Sequence, residues 1–258
     1  MVSGLRIDDD GVVRTLTIDR PEVLNALTVP LRQALAGALV EADADPGVRV
    51  VVVTGAGGTF CSGGDVGEMD ADRTPEEAYD YTANVANLVF RTLRGMATPT
   101  VARVEGVAAG AGMFLALACD VVVAAESARF VASHLGVGLP PDWGGLWTVP
   151  RLVGQARARA LLLTGRPIAA PKAEAWGLIA ECVPAADLDA TVASYCEALA
   201  SPPPGALASA RDGIARSFDM NLDEFLEWEA QVVGDALLTP EHRQRVQAFL
   251  ERRRARRP

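Results

Sequence analysis

Two glycine-rich loops contain the residues of this chain that could stabilise negative charge through backbone groups. The first is Gly55-Ala-Gly-Gly-Thr-Phe-Cys-Ser-Gly-Gly64, and the second runs from Glu105 to Gly112. Each follows an apolar, strand-like segment and precedes a helix-like one, so N–H groups at a helix N-terminus could face a developing anion. Neither contains the GxGxxG or GK[ST] pattern of nucleotide-binding loops. Taken alone, each loop also fits a simple tight connection.

Two titratable side chains farther along the chain could transfer protons. His134 could act as an acid or a base near neutral pH, although a lone histidine is often a hydrogen-bonded structural residue. Asp142 lies in Leu139-Pro-Pro-Asp-Trp-Gly-Gly145. Its carboxylate could carry a proton, or it could only complete a turn or cap a helix.

The composition excludes several other classes of function. The formal net charge is −9, whereas binding to nucleic-acid phosphates needs a basic face. The four cysteines form no CxxC pair, and the chain has two histidines, so we predict no metal site and a reducing, cytoplasmic setting. Cys61 is predicted to pack in the core. We find neither a signal peptide nor an apolar run long enough to cross a membrane.

The elements that must position these residues alternate between strands and helices over most of the chain. Strands are predicted at 12–19, 48–54, 100–104 and 121–125, helices begin near Thr28 and Met113, and one long helix is predicted over 75–96. This alternation indicates parallel βαβ units in an α/β fold. From about residue 187 onward only helices are expected, over 187–200, 205–217, 221–237 and 240–255. We therefore predict an α/β core over residues 1–186 and a helical region over 187–258.

The motifs resemble those of the crotonase (enoyl-CoA hydratase/isomerase) superfamily, in the same order and spacing from residue 12 to residue 183. The matching segments are Arg20-Pro-Glu-Val-Leu-Asn-Ala-Leu27, Gly58-Thr-Phe-Cys-Ser-Gly-Gly-Asp65, Gly106-Val-Ala-Ala-Gly-Ala-Gly112, Ala118-Cys-Asp120, Gly138-Leu-Pro-Pro-Asp-Trp-Gly-Gly145, Arg151-Leu-Val-Gly154, Leu163-Thr-Gly-Arg-Pro-Ile-Ala-Ala170 and Ala175-Trp-Gly-Leu178.

This resemblance implies a fold, an assembly and a substrate. The fold would be a crotonase-like spiral of repeated ββα units, with C-terminal helices that assemble a homotrimer or a dimer of trimers. The substrate would be a coenzyme A thioester, with no further cofactor because coenzyme A belongs to the substrate. By motif position, the backbone N–H groups of Gly64 and Ala111 would form an oxyanion hole for a thioester enolate. Most family members have glycine at the position of Ala111.

The resemblance also implies which residues bind the acyl-CoA. The backbone around Val23, Leu24 and the segment Ser62, Gly63, Gly64 and Asp65 would line the channel for adenine and pantetheine, although Asp65 could equally cap the next helix. Phe114 would form an apolar wall beside the acyl group, with ordinary packing as the alternative. The arginine cluster of Arg252–Arg257 is expected to be a solvated tail, with contact to CoA phosphates as the alternative.

The most informative departure from the family concerns the two glutamates of its hydratases. Their positions are occupied here by Phe114 and His134, and Phe114 cannot transfer a proton. Several isomerases of the superfamily have a catalytic aspartate at the position of Asp142, where a single carboxylate can move a proton between two carbons. We therefore predict an enoyl-CoA isomerase that uses Asp142, assisted by His134. The alternatives are a hydratase that uses both residues, a non-catalytic acyl-CoA-binding homologue and, more remotely, a dehalogenase.

Overall fold

A computed structural model describes residues 4–69 and 72–255 of the chain. The strands are β1 (Leu5–Asp10), β2 (Val13–Ile18), β3 (Val50–Gly55), β4 (Thr100–Val104), β5 (Val107–Ala109), β6 (Val121–Ala125), β7 (Arg129–Val131), β8 (Ile168–Ala169) and β9 (Glu181–Val183). The α-helices are α1 (Val29–Ala44), α2 (Pro75–Asp80), α3 (Leu88–Gly95), α4 (Ala111–Ala118), α5 (Gly145–Thr164), α6 (Ala170–Ala175), α7 (Leu188–Ala200), α8 (Pro204–Arg216), α9 (Leu222–Leu237) and α10 (Pro240–Ala255).

The main sheet has six strands in the order β1-β2-β3-β4-β6-β9. β1 and β2 pair antiparallel, and the other neighbours pair parallel. Strand β3 is buried on both faces, because Val51 and Val53 belong to the large core cluster while Val50 and Val52 belong to a second cluster. Its nearly continuous apolar sequence therefore reflects cover on both sides, as is usual in parallel sheets.

A smaller sheet, in the order β5-β7-β8, stands apart from the main one. β5 follows β4 after a two-residue turn and precedes α4, and β7 follows β6, which gives the expected ββα repeats. The crotonase-like fold predicted from the motifs is thus confirmed. The short strands β5, β7, β8 and β9, the first strand β1 and helix α5 were not predicted. β5 lies inside the second glycine loop, so this loop is a strand followed by a tight turn.

The single long helix predicted over 75–96 is interrupted. α2 leads into a π-helical turn at Tyr81–Ala86, and α3 follows. A π-turn widens the helix locally and is often found beside functional sites. It brings Tyr81 to the wall of the cavity described below.

The chain divides into two compact units after Ala200, later than the boundary at residue 186 drawn from the sequence. The reason is that α7 belongs to the first unit. Its residues Leu188, Val192 and Cys196 are buried in the cluster that covers one face of β3, β4 and β6. The second unit, residues 201–258, contains α8, α9 and α10, as predicted, and Arg256 and Arg257 of the terminal cluster lie outside the described residues. Trimer formation stays a prediction.

Within residues 4–69 and 72–255, no helix combines the length and the apolar character needed to cross a lipid bilayer.

The packing of α7 on the sheet can be tested by truncation. Leu188 is fully buried, so Leu188→Ala is expected to lower the free energy of unfolding by about 2–5 kcal/mol. Glu197→Ala, on the exposed side of the same helix, is the control and should change it by less than about 0.5 kcal/mol. Urea unfolding followed by circular dichroism measures both. Equal effects of the two substitutions would contradict this packing.

Candidate active site

In the first glycine loop, the N–H of Gly64 points away from the segment at Leu27 with which the loop pairs. A parallel bridge joins Leu27 to Gly64, in which Leu27 N donates to Gly63 O at 2.8 Å and Asp65 N donates to Leu27 O at 3.1 Å. Because this bridge uses the groups on either side of Gly64, the N–H of Gly64 itself points in the opposite direction. A Cβ at Gly64 would lie 2.6 Å from Arg32 Nη2 and 2.8 Å from the terminal methyl of Met69, so a larger residue here would displace the ends of these two side chains.

The second glycine loop presents the N–H of Ala111. Gly110 has φ 53° and ψ −126°, a conformation essentially restricted to glycine. It starts α4 directly at Ala111, whose N–H therefore has no partner inside the helix. A Cβ placed on Gly63 would lie 3.4 Å from Ala111 N, so the two loops are in close contact. No described residue accepts a hydrogen bond from Gly64 N or Ala111 N.

His134 and Asp142 form a hydrogen-bonded pair. His134 Nε2 lies 2.9 Å from Asp142 Oδ1. The imidazole is buried and stacks on the ring of Phe114, with centroids 5.2 Å apart and an interplanar angle of 20°. Its Nδ1 is buried without a hydrogen-bond partner among the described residues. The carboxylate of Asp142, by contrast, is 31% exposed.

This pair gives Asp142 one occupied oxygen and one free one. The second carboxylate oxygen has no hydrogen-bond partner among the described residues, so it is available to a ligand. Since His134 is held by Phe114 and buried, it fixes the orientation of Asp142. The backbone following the carboxylate is also constrained, because Trp143 is buried with φ 49° and Gly144 has φ 65°.

A cavity of about 310 Å³ brings most of the predicted site residues together. Those that line it are Ser62, Gly63, Gly64, Ala111, His134 and Asp142. Asp142 is the only carboxylate among the described residues that line it. Residues that sequence reasoning did not single out also line it, namely Arg32, Arg73, Tyr81 and Trp143.

The remaining predicted residues lie around this cavity and not in its wall. The side chains of Val23 and Leu24 are exposed, and Leu24 O accepts a hydrogen bond of 2.9 Å from Ser62 N. Asp65 caps the 3-10 turn at Val66–Glu68 by accepting from Gly67 N at 3.1 Å, and it pairs with Arg20 at 3.3 Å.

Phe114 differs from the predicted role. It is buried, and it lies behind His134, so in this structure it does not line the cavity. Its ring also occupies the space that a side chain at Gly145 would need. The aromatic residue therefore supports the imidazole, because the helix start of α4 turns this side chain toward the 3-10 turn at Ser133–Val137.

Cys61 has the properties of a packing residue. Its thiol is completely buried, and burial raises its pKa to about 12. The thiolate needed for nucleophilic attack is therefore scarce at neutral pH. The sulfur lies 3.4 Å from Gly63 N, which donates to it.

Arg32 could have been found from its position on α1. The buried residues Leu31, Leu35 and Leu39 define the core face of this helix, and Arg32 stands on that face beside them. A charge on an apolar helix face is a signal that sequence reasoning did not use. Within the described part of the chain, no group of His, Cys, Asp and Glu side chains could hold a metal ion.

Comparisons with known proteins agree with this geometry. A family profile described as "Enoyl-CoA hydratase/isomerase" matches residues 8–256. A probable enoyl-CoA hydratase of Rhodobacter capsulatus is 37% identical, over 96% of this chain and 95% of the relative. The 1,2-epoxyphenylacetyl-CoA isomerase of Escherichia coli K12 is also 37% identical, over 93% of each chain.

A solved structure extends the agreement to the backbone. The crystal structure of an enoyl-CoA hydratase from Polaromonas sp. JS666 superposes with a TM-score of 0.91 at 34% identity, covering 96% of this chain and 97% of the other. The family match extends over nearly the whole chain, and the two glycine loops present unpaired amides to one cavity. This protein therefore belongs to the enoyl-CoA hydratase/isomerase family of the crotonase superfamily and is an acyl-CoA enzyme.

Proposed function

We propose that this protein is an enoyl-CoA isomerase that moves a carbon–carbon double bond through a thioester enolate. The observation that supports this most strongly is the position of Asp142. It is the only carboxylate lining the cavity among the described residues, and that cavity also contains Gly64 and Ala111, whose amides are unpaired. A double-bond shift needs one group that removes a proton and returns it elsewhere, and a single carboxylate suffices for that.

The proposed reaction begins with the thioester oxygen bound to the N–H groups of Gly64 and Ala111. For a 3-enoyl thioester, Asp142 takes a proton from C2, and the electron pair of that C–H bond moves into the conjugated enolate. The protonated Asp142 then returns the proton to C4, which gives the 2-enoyl thioester. Each amide that meets the developing oxyanion would contribute about 3 kcal/mol to lowering the barrier.

His134 would keep Asp142 in position. Its Nε2 can donate to Oδ1 while the second carboxylate oxygen remains free for the substrate. The similarity to an epoxyphenylacetyl-CoA isomerase supports this assignment, because that relative is named for an isomerisation.

The second candidate is an enoyl-CoA hydratase, and the same pair of residues supports it. Hydration requires one group to activate water and another to deliver a proton, and His134 and Asp142 could share these roles. Several relatives are named as enoyl-CoA hydratases, among them the protein of Rhodobacter capsulatus. Against this candidate stands the direct bond between the two groups, which leaves the buried His134 poorly placed to act separately on water.

Isotope labelling separates these candidates. We expect that 3-enoyl-CoA esters incubated with the protein in deuterated water become 2-enoyl-CoA esters with no added water, and that they carry deuterium to the extent that protonated Asp142 exchanges with solvent before it returns the proton. Mass spectrometry and ultraviolet absorbance of the conjugated thioester follow the reaction. Addition of a whole water would instead identify a hydratase, and an unchanged panel of esters would indicate a non-catalytic acyl-CoA-binding protein.

The role of Asp142 can be tested by a nearly isosteric change. Asp142→Asn removes the proton acceptor, and we expect isomerisation to fall by roughly 10²- to 10⁴-fold, the usual contribution of general acid–base catalysis. Asp10→Asn removes the same charge from an exposed position of β1 and is the matched control. Isomerisation that survives Asp142→Asn at the rate of the control would refute the assignment.

His134 is assigned a positioning role, which predicts a graded response to substitution. His134→Gln can still donate a hydrogen bond to Asp142, whereas His134→Leu cannot. We therefore expect kcat to fall about tenfold more in the Leu variant than in the Gln variant, as loss of a charge-assisted hydrogen bond requires, with KM nearly the same in both. Steady-state kinetics on a 3-enoyl-CoA ester measures the difference. Equal loss in both variants would show that the imidazole itself transfers the proton.

A further inference from the structure

Arg32 is a buried cation in the wall of the cavity that the proposed reaction leaves unused. It lies on α1, is 2% exposed, and lines the same cavity as Gly64 and Asp142. An arginine side chain remains charged at any pH relevant to proteins. Its guanidinium must therefore be stabilised by its surroundings or by a bound group.

The described residues around Arg32 place no carboxylate within salt-bridge distance of its guanidinium. Its Nη1 donates to the hydroxyl of Tyr81 at 2.7 Å, and the guanidinium carbon lies 5.6 Å from the ring centre of Tyr81 and 5.8 Å from that of Trp143. Its Nε is buried and has no hydrogen-bond partner in the described part of the chain. No carboxylate among the described residues forms a salt bridge with it. The two aromatic rings hold the guanidinium in place but do not neutralise it.

A second guanidinium reinforces the positive character of this wall. Arg73 also lines the cavity, and its guanidinium carbon lies 4.5 Å from the ring centre of Tyr81. One of its donors is used by Glu68 O at 2.8 Å. The described lining thus contains two guanidiniums and one carboxylate, Asp142, and that carboxylate is hydrogen-bonded to His134. The charge of this cavity wall is therefore positive, whereas the net charge of the whole protein is −9.

The position of Arg32 shows which part of a ligand it would meet. A Cβ placed on Gly64 would lie 2.6 Å from Arg32 Nη2, so the guanidinium is next to the backbone of the proposed oxyanion hole. A group bound by Arg32 would therefore lie only a few bonds from the thioester carbonyl. The adenine and phosphates of coenzyme A, at the far end of the pantetheine chain, are too distant to be that group.

We propose that Arg32, with Tyr81 and Arg73 beside it, binds a carboxylate carried by a short acyl chain. The substrate class would be the coenzyme A monothioesters of short dicarboxylic acids and their unsaturated forms. This inference rests on the proposed function in one respect, that the acyl group occupies this cavity. A guanidinium binds a carboxylate through charge-assisted hydrogen bonds, and Nη2, which lies next to Gly64 and has no hydrogen-bond partner among the described residues, is the donor placed to make one.

Binding of unreactive esters tests this proposal without any turnover. Isothermal titration calorimetry compares glutaryl-CoA, which ends in a carboxylate, with pentanoyl-CoA, which has the same chain length and no charge there. We expect the protein to bind glutaryl-CoA roughly 10- to 100-fold more tightly, as expected of a charge-assisted hydrogen-bonded pair. In Arg32→Met this preference should disappear, and in the exposed-site control Arg91→Met it should persist.

Several results would overturn the proposal. It fails if the unaltered protein binds the two esters equally or favours pentanoyl-CoA, or if the preference for glutaryl-CoA survives Arg32→Met. Where Arg32→Met does not fold, Arg32→Gln, polar and uncharged, should show the same loss of preference. If instead Arg32→Gln keeps the preference and only slows the reaction of an uncharged 3-enoyl-CoA ester, Arg32 serves the enolate and not a carboxylate.

These results are distinguishable from a failure of the proposed function. Absence of a double-bond shift on every 3-enoyl ester would remove the isomerase assignment and leave the glutaryl-CoA preference intact. Isomerisation of uncharged esters without any preference for glutaryl-CoA would remove the carboxylate site and leave the isomerase assignment intact.

Discussion

The site depends on the hydrogen bonds that join the first glycine loop to its two neighbours. On one side the loop pairs with Leu27 through Gly63 and Asp65. On the other side Cys61 pairs with β5, since Cys61 N donates to Val107 O at 3.0 Å and Ala109 N donates to Cys61 O at 2.8 Å. The second set of bonds fixes the distance between the two glycine loops, and with it the relation between the amides of Gly64 and Ala111.

This constraint explains why catalysis in such a site would rely on backbone groups. Amides fixed by sheet-like pairing need no reorganisation when negative charge develops on the thioester oxygen, and fixed dipoles in a shielded cavity are more effective than mobile ones in water. The close approach of the two loops requires glycine at position 112 for steric reasons. Gly112, the second residue of α4, has the carbonyl of Cys61 where a side chain would begin, so any larger residue would separate the loops.

The sequence was sufficient to predict features that depend on local patterns. The glycine loops, the buried strand β3 and the C-terminal helices follow from spacing and composition, and motif order was sufficient for the family. What it did not reveal depends on contacts between distant segments. The meeting of Arg32 with Tyr81 and Trp143 requires α1, a π-turn and the segment after Pro140 to converge. Likewise, the sequence of α7 resembles those of the other C-terminal helices, and only its packing on β3, β4 and β6 shows that it belongs to the first unit.

The stacking of Phe114 on His134 shows how the two residues that replace the hydratase glutamates interact. The resemblance places the two glutamates of hydratases at these positions, and here the two side chains are in contact, 5.2 Å apart between ring centres. The two replacements are therefore coupled, because an aromatic ring at residue 114 leaves a buried imidazole with an apolar face and one polar edge. That edge is bonded to Asp142. In the proposed mechanism, a single carboxylate, Asp142, replaces the pair of glutamates, and His134, packed against Phe114, orients it. Such a site favours isomerisation, which moves one proton, over hydration, which needs one group to activate water and another to deliver a proton.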